Sequence, residues 1–194
     1  FGFLCRIEEI VKISSRYGIP VLEDAAEAFG SFGDMISAGM YGDIGVFSFN
    51  GNKIITSGGG GILVSKSEIL LKEAKHLTTT AKVPHPWEYD HDKMGYNFRM
   101  PNLNAALALG QLESVKNKIS SKVKIFKEYK AGSTEMKLSM VNPPSETTTH
   151  WNHWLFSLFL EDKTERDLFL ETTNHNGIMT RPIWRLVSEL PMYS

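Results

Sequence analysis

The chain has 194 residues, 42% of them hydrophobic and 22% charged, with a formal net charge of −1. That length and balance describe a globular protein with a sizeable core rather than a disordered or fibrous chain, and the near-zero charge offers no electrostatic basis for a nucleic-acid or membrane-surface partner. No apolar run approaches the roughly 20 residues of a membrane helix, Glu8 and Glu9 interrupt any leader-like core, and the single cysteine, Cys5, excludes an internal disulfide framework and fits the cytoplasm.

In chain order, Ile7, Ile10, Val11 and Tyr17 recur at helical spacing, which predicts an amphipathic helix over 5–17 closed by Gly18. Short buried strands are expected over 20–24, 44–49 and 61–65, the last followed by a helix over 66–76. Residues 78–101 form a long loop with Pro84, Pro86, Pro101 and several aromatics. A loop of that length is functional or disordered, and its aromatic content argues against disorder. Pro101 and Asn102 suit the start of a helix, and a second helix is expected to about residue 129. Residues 139–150, with Pro143, Pro144 and Thr147-Thr148-Thr149, have linker composition. Beyond them the pattern predicts a strand over 151–160 and a helix over 164–175 that Asn176-Gly177 closes. Strands separated by helices predict an α/β fold with a mostly parallel sheet, in which ligands bind at the carboxyl ends of the strands.

Two of these strands end in reactive side chains. The first ends at Asp24, and the second runs through Ser48 toward Lys53 and the glycines Gly58 to Gly61. A lysine, a carboxylate and a hydroxyl in this arrangement are the parts of a pyridoxal phosphate site. The lysine bonds the cofactor aldehyde, the carboxylate keeps the pyridine nitrogen protonated, and hydroxyl and backbone donors hold the phosphate. The apolar flanks of Lys53 favour an uncharged, nucleophilic amine. The competing readings are a surface lysine at 53, a helix-capping Asp24, an ordinary strand serine at 48 and a tight turn at the glycines. Lys53 is not part of a nucleotide-binding Walker loop, which would need a different glycine spacing and a following Ser or Thr. The six histidines lack zinc-ligand spacing, so no metal is expected. Trp151, Trp154, Phe156 and Phe159 read as core.

Glu23-Asp24-Ala25-Ala26-Glu27, Gly42-Asp43-Ile44-Gly45, the run from Ser48 through Lys53 to the glycines, Gly95-Tyr96-Asn97-Phe98-Arg99, Asn104-Ala105-Ala106, Gln111-Leu112-Glu113, Thr180-Arg181-Pro182-Ile183-Trp184 and Leu190-Pro191-Met192-Tyr193 together resemble the DegT/DnrJ/EryC1/StrS sugar aminotransferases, of aspartate-aminotransferase-like (fold type I) architecture. Residues 50–53 and 76–82 are most similar to the branch that serves legionaminic-acid-type sugars. The resemblance implies a pyridoxal phosphate-dependent transfer of an amino group, with glutamate as donor, to a nucleotide-linked 4-keto-6-deoxy sugar. It places Glu27 near the cofactor's 3-oxygen, although a surface glutamate is the competing reading. It implies that Asn97 reaches the cofactor phosphate of a neighbouring subunit, hence a homodimer with shared sites. It places Arg99, Arg181 and Trp184 at the substrate, against a loop anchor for Arg99 and a structural ion pair for Arg181.

Family members are nearly twice as long. The chain is therefore expected to hold a cofactor-binding large domain over 1–138 that lacks its N-terminal part, including a phosphate loop and a stacking aromatic. Residues 139–194 are expected to start a smaller α/β domain. Ser188 stands where the branch has a histidine near the substrate. The rival expectations are a non-catalytic fragment or a cofactor-fold protein kept for binding or regulation, and a sugar dehydratase of the same family. The dehydratases carry histidine in place of the lysine, so Lys53 opposes that last reading.

Overall fold

The computed structural model describes residues 1–193. Helix α1 (Ile7–Arg16) turns Ile7 and Val11 into the core, with Glu8 and Glu9 in its first turn and Arg16 in its last, as the helix dipole favours. Ile10 and Tyr17, expected on the packed face, are exposed. Gly18, at φ +62°, lets the Ile19 amide turn back to donate to the Ser14 carbonyl.

Strand β1 (Leu22–Asp24) is followed by a small antiparallel hairpin of β2 (Phe32–Gly33) and β3 (Ile36–Ser37), which the sequence pattern did not reveal because each strand is only two residues long. Strand β4 (Ile44–Ser48) lies parallel to β1, with Asp24 opposite Val46. Strand β5 (Gly61–Val64) runs antiparallel to β4, with Ser48 opposite Gly61. The three-stranded sheet, in the order β1-β4-β5, is thus mixed where a mostly parallel one was expected. The cause is the connection after Ser48. It contains no crossover helix, and Gly58 and Gly60, both at φ +80°, fold the chain directly back.

Helix α2 (Glu68–Thr78) starts on Ser67, whose hydroxyl accepts the Leu70 amide at 3.3 Å. The long loop follows, then α3 (Asn102–Glu113), with Pro101 at its cap, and α4 (Val115–Glu135), which continues past the end expected near residue 129. Strands β6 (Ser139–Met140) and β7 (Leu158–Phe159) pair antiparallel. Helix α5 (Lys163–His175) is capped by Asp162, which accepts the Glu165 amide at 2.9 Å. Short 3₁₀ turns at Val187–Glu189 and Pro191–Tyr193 come last.

Two expectations change between residues 139 and 160. The 139–150 segment is fastened rather than free. Leu4 N–H donates to Thr148 Oγ1 and Thr147 Oγ1 donates to the Leu4 carbonyl, both at 3.0 Å, while Phe32 and His150 exchange backbone bonds. Threonine hydroxyls here do the pairing that a strand ladder would otherwise do. Within 151–160 only Leu158–Phe159 is a strand. The preceding residues are fixed by side chains instead. Trp151 Nε1 donates to the Phe1 carbonyl and Trp154 Nε1 to the Asn52 carbonyl, both at 2.8 Å.

The buried core has two parts. Leu4, Ile7, Ala25, Ala28, Ala38 and Phe47 form one; Phe49, Ile54, Ile55 and Trp154 form the other, and Phe29 packs against both. Asn152, 0% exposed, joins them. Its Nδ2 donates to the Glu27 and Phe29 carbonyls at 2.8 and 3.0 Å, its Oδ1 accepts the Trp154 amide at 2.9 Å, and its own amide donates to Ser31 Oγ at 3.0 Å. Asn152→Ala leaves two partly buried carbonyls and one buried amide without these partners. It is expected to lower the unfolding free energy by about 2 to 4 kcal/mol, measurable as a lower urea midpoint with an unchanged slope.

Candidate active site

Adjacent residues of β1 have opposite fates because strand side chains alternate between faces. Glu23 points inward, and its carboxylate accepts the amides of Gly39, Tyr41 and Gly42 at 2.9, 2.6 and 2.5 Å. These charge-assisted bonds make a buried carboxylate tolerable. Asp24 points outward and is exposed; its Oδ1 accepts the Ala26 amide at 3.1 Å. No helix follows Asp24, so the capping reading fails and the carboxylate closes a turn instead. Val46 is Asp24's register partner, and Ser48 lies two residues further on the same face of the parallel neighbour. Asp24 and Ser48 therefore share one side of the sheet at its carboxyl-terminal edge. Ser48 Oγ accepts the Asn50 amide at 3.2 Å, which leaves its proton available for donation.

Lys53 lies in the turn after β4 and is only 12% exposed, so it is not a surface lysine. Its Nζ is 3.3 Å from Glu27 Oε1 and 4.2 Å from the centroid of the Trp154 ring. Lys53 thus meets a carboxylate and an aromatic face, both partners for an ammonium, rather than the apolar enclosure expected from its flanks. Glu27 is not on a helix. It lies on the wall of a cavity of about 200 Å³ lined also by Asp24, Ala26 and Ala28. The glycines end the 49–60 connection between β4 and β5, and Asn104 Nδ2 of α3 donates to the Ser57 carbonyl beside them at 2.5 Å.

Asn97 and Arg99 are both exposed and bond to each other and to the end of α2. Arg99 Nη1 donates to Asn97 Oδ1 at 3.1 Å and Nη2 to the Thr79 carbonyl at 2.8 Å. Among the described residues their side-chain bonds do not reach the Lys53 cluster. Arg181 is exposed and has no ion pair among the described residues; its guanidinium lies 3.7 Å from Met179 Sδ. Ser188 lies in the first 3₁₀ turn. Trp184, 62% exposed, stacks on Trp154 with ring centroids 6.0 Å apart and an interplanar angle of 2°. The cluster thus comprises Asp24, Glu27, Ser48, Lys53 and, through Trp154, Trp184. Sequence reasoning missed Trp154 as a site residue because its apolar neighbourhood signals only burial. The long-range fold, not any local spacing, brings it to Lys53.

The donor set fits pyridoxal phosphate. A shielded amine is paired with Glu27, which lines a cavity with the outward Asp24 carboxylate, and the Ser48 hydroxyl lies on the same side of the sheet as that carboxylate. Residues 1–194 match the DegT/DnrJ/EryC1/StrS aminotransferase family. The chain belongs to that family. It is 38% identical over 197 residues to the GDP-perosamine synthase of Escherichia coli O157:H7, covering all of this chain and 52% of that protein. Two solved structures share its fold. One is the aminotransferase TlmJ of Streptoalloteichus hindustanus (TM-score 0.91, 24% identity, 100% of this chain and 52% of that one). The other is Helicobacter pylori PseC, an aminotransferase involved in pseudoaminic acid biosynthesis (TM-score 0.89, 22% identity, 99% and 52%). The chain spans about half the length of these relatives. Pyridoxal phosphate is the cofactor of the DegT/DnrJ/EryC1/StrS aminotransferases, and the fold is that of the type I pyridoxal phosphate enzymes.

The loop bearing Asn97 and Arg99 is latched to α2. His76 Nε2 meets Asp92 Oδ1 at 2.6 Å, and Lys93 Nζ meets Glu73 Oε1 at 2.7 Å. The hydrogen bond from His76 is the largest influence holding the Asp92 carboxyl below its usual range. Because the folded-state value is depressed, the latch is fully present above the ordinary Asp value, about 3.9, and is lost as pH falls through the folded one. Protection of the Ala81 and Asp92 amides, taken relative to their intrinsic exchange rates, is expected to fall over that acid window in the native chain. Asp92→Asn should exchange faster at neutral pH and lose the acid transition; a transition that survives the substitution rejects Asp92 as its origin.

Proposed function

We propose that the whole protein is a pyridoxal phosphate-dependent aminotransferase that moves an amino group from an amino acid, glutamate by family resemblance, to a nucleotide-linked 4-keto-6-deoxy sugar. The observation that carries the proposal is the Lys53–Glu27 pair at the cavity lined by Asp24, with Ser48 on the same sheet face as Asp24. The 38% identity to a GDP-perosamine synthase supports the substrate class. The narrower legionaminic-acid assignment has no such support, and only the class is proposed. The rival reading of a non-catalytic fragment or a binding or regulatory protein is not favoured, because Lys53, Asp24 and Ser48 are all present and the relatives are sugar aminotransferases.

When bound, the cofactor supplies an electron-accepting ring that labilises the α-carbon–hydrogen bond of the amino donor. Asp24 would hold the proton on the pyridine nitrogen. Ser48 Oγ–H would donate to the phosphate, and Asn97 of a second subunit would complete that contact. Glu27 Oε1, at 3.3 Å, orients Lys53 Nζ beside the cavity. Lys53 Nζ then removes the proton from the donor's α-carbon and returns one at the carbon that was the sugar ketone. Arg99 and Arg181 present cationic forks to the nucleotide diphosphate, and the exposed face of Trp184 lies against the sugar or base.

The homodimer is our reading too. Helix α3 leaves Leu103, Leu107, Leu109 and Leu112 exposed around its circumference, and Tyr96 and Phe98 are exposed on the loop that carries Asn97. We take these exposed apolar side chains as support for an interface there. We further place the protein in the cytoplasm, with the large domain ending at residue 138. Among the described residues, no helix is long and apolar enough to cross a membrane.

Borohydride reduction of the full-length protein with pyridoxal phosphate is expected to fix the label on Lys53, as read by peptide mapping; a label elsewhere removes the assignment. Asp24→Ala should retain cofactor binding and lose turnover by about 100-fold or more, whereas unchanged turnover would leave Asp24 as a turn residue only. Assayed with glutamate, the enzyme should turn over keto-sugar nucleotides, and turnover of simple keto acids alone would overturn the substrate class.

A mixed dimer of Lys53→Ala and Asn97→Ala subunits should regain activity that neither homodimer has. Absence of rescue, with heterodimers demonstrated, counts against shared sites.

A further inference from the structure

We propose that Trp154 is a positioning residue for Lys53: its indole face and the Glu27 carboxylate form a two-sided seat that holds the lysine amine whenever the amine is not bonded to the cofactor. The proposal rests on the reading of Lys53 given above.

A lysine amine sits on a flexible four-carbon stem, so its position must be imposed from outside. Glu27 alone is a weak constraint, because its side chain is 38% exposed. Trp154 is the rigid half of the seat. It is 1% exposed, and its backbone amide is held by Asn152 Oδ1, its carbonyl by Lys122 Nζ at 3.3 Å, and its indole Nε1 by the Asn52 carbonyl. Trp184 lies parallel over it at 6.0 Å. A ring tied down in this way cannot swing aside, and Lys53 Nζ lies 4.2 Å from its centroid. An ammonium within about 6 Å of an indole centroid is attracted by the ring quadrupole, more strongly for Trp than for Tyr or Phe. Core filling requires volume alone; it does not require a cation over the ring. The Asn52–Trp154 bond also fixes the seat to the residue preceding Lys53, so the ring and the lysine backbone share one reference point.

The test uses full-length Trp154→Tyr, Trp154→Phe and Trp154→Leu proteins, with Trp151→Leu as a control for general loosening of the core. In cofactor-free protein, limited acetylation is quantified at Lys53 against exposed Lys66 by peptide mass spectrometry. The Lys53:Lys66 ratio should rise in the order Trp, Tyr, Phe, Leu, reaching about three- to tenfold at Leu, and stay near the wild-type value in Trp151→Leu. In the loaded enzyme, kcat should fall in the same order. The proposal is overturned by an equal ratio across the ring series, a measurement that stands even if Trp154→Leu does not fold, or by a Trp151→Leu rise that matches Trp154→Leu. Failure here leaves the borohydride label on Lys53 untouched, whereas a label on a different lysine removes the cofactor site itself.

Discussion

The four hydrogen bonds of Asn152 hold together the pieces on which the site depends. A carboxamide offers two donors and an acceptor at one point, which lets a single buried side chain tie the 27–31 turn to the chain entering Trp154. The Glu27 carbonyl and the Trp154 amide are both bonded to it, and Glu27 and Trp154 are the two residues that face Lys53. The geometry around the lysine is therefore set by a residue that never touches it. Buried polar groups left without such partners are costly, so a bridge of this kind holds one arrangement of the segments over its alternatives.

The sheet contributes in a different way. Strand alternation sends Glu23 to the interior and Asp24 to the open edge, and the two carboxylates then do unrelated work. Glu23 gathers the amides of Gly39, Tyr41 and Gly42 and so fixes the turn that leads into β4. That turn sets the parallel register of β4 on β1, which in turn sets Ser48 beside Asp24. Gly45, opposite Glu23 in the register, has no room for a side chain because the Gly39 backbone crosses directly over it. The chemistry at the strand ends thus depends on packing on the opposite face, and Asp24 keeps its place because its neighbour is satisfied.

Much of the candidate site was legible in the sequence as a set of residues at strand ends. The lysine, its aspartate and its serine announce themselves because each lies near the end of a short apolar run, where strand periodicity and reactive side chains coincide. Helices α1, α2 and α5 were legible for a similar reason: a local period, and caps such as Gly18 and Asn176-Gly177, carry the information. The errors share one cause. The mixed sheet turns on whether the chain after Ser48 crosses over or doubles back, and a glycine run is compatible with either. The 139–150 segment has loop composition, yet its threonines bond to Leu4, a partner more than a hundred residues away. Residues 151–155 carry two tryptophans that suit a strand, yet their indole and amide groups find partners outside any ladder.

By itself, the sequence determined which groups are available: an amine, two adjacent carboxylates, a hydroxyl and a turn of glycines, each placed by local periodicity within a few residues of a strand end. Only the tertiary structure decided what surrounds the amine. Glu27 lies 26 residues before Lys53 and Trp154 lies 101 residues after it, and no local pattern relates those three positions. Their meeting follows from strand pairing, from the buried Asn152 bridge and from the docking of Trp154 on Asn52. These are long-range interactions, whose partners are chosen by which buried polar and apolar surfaces can be satisfied together.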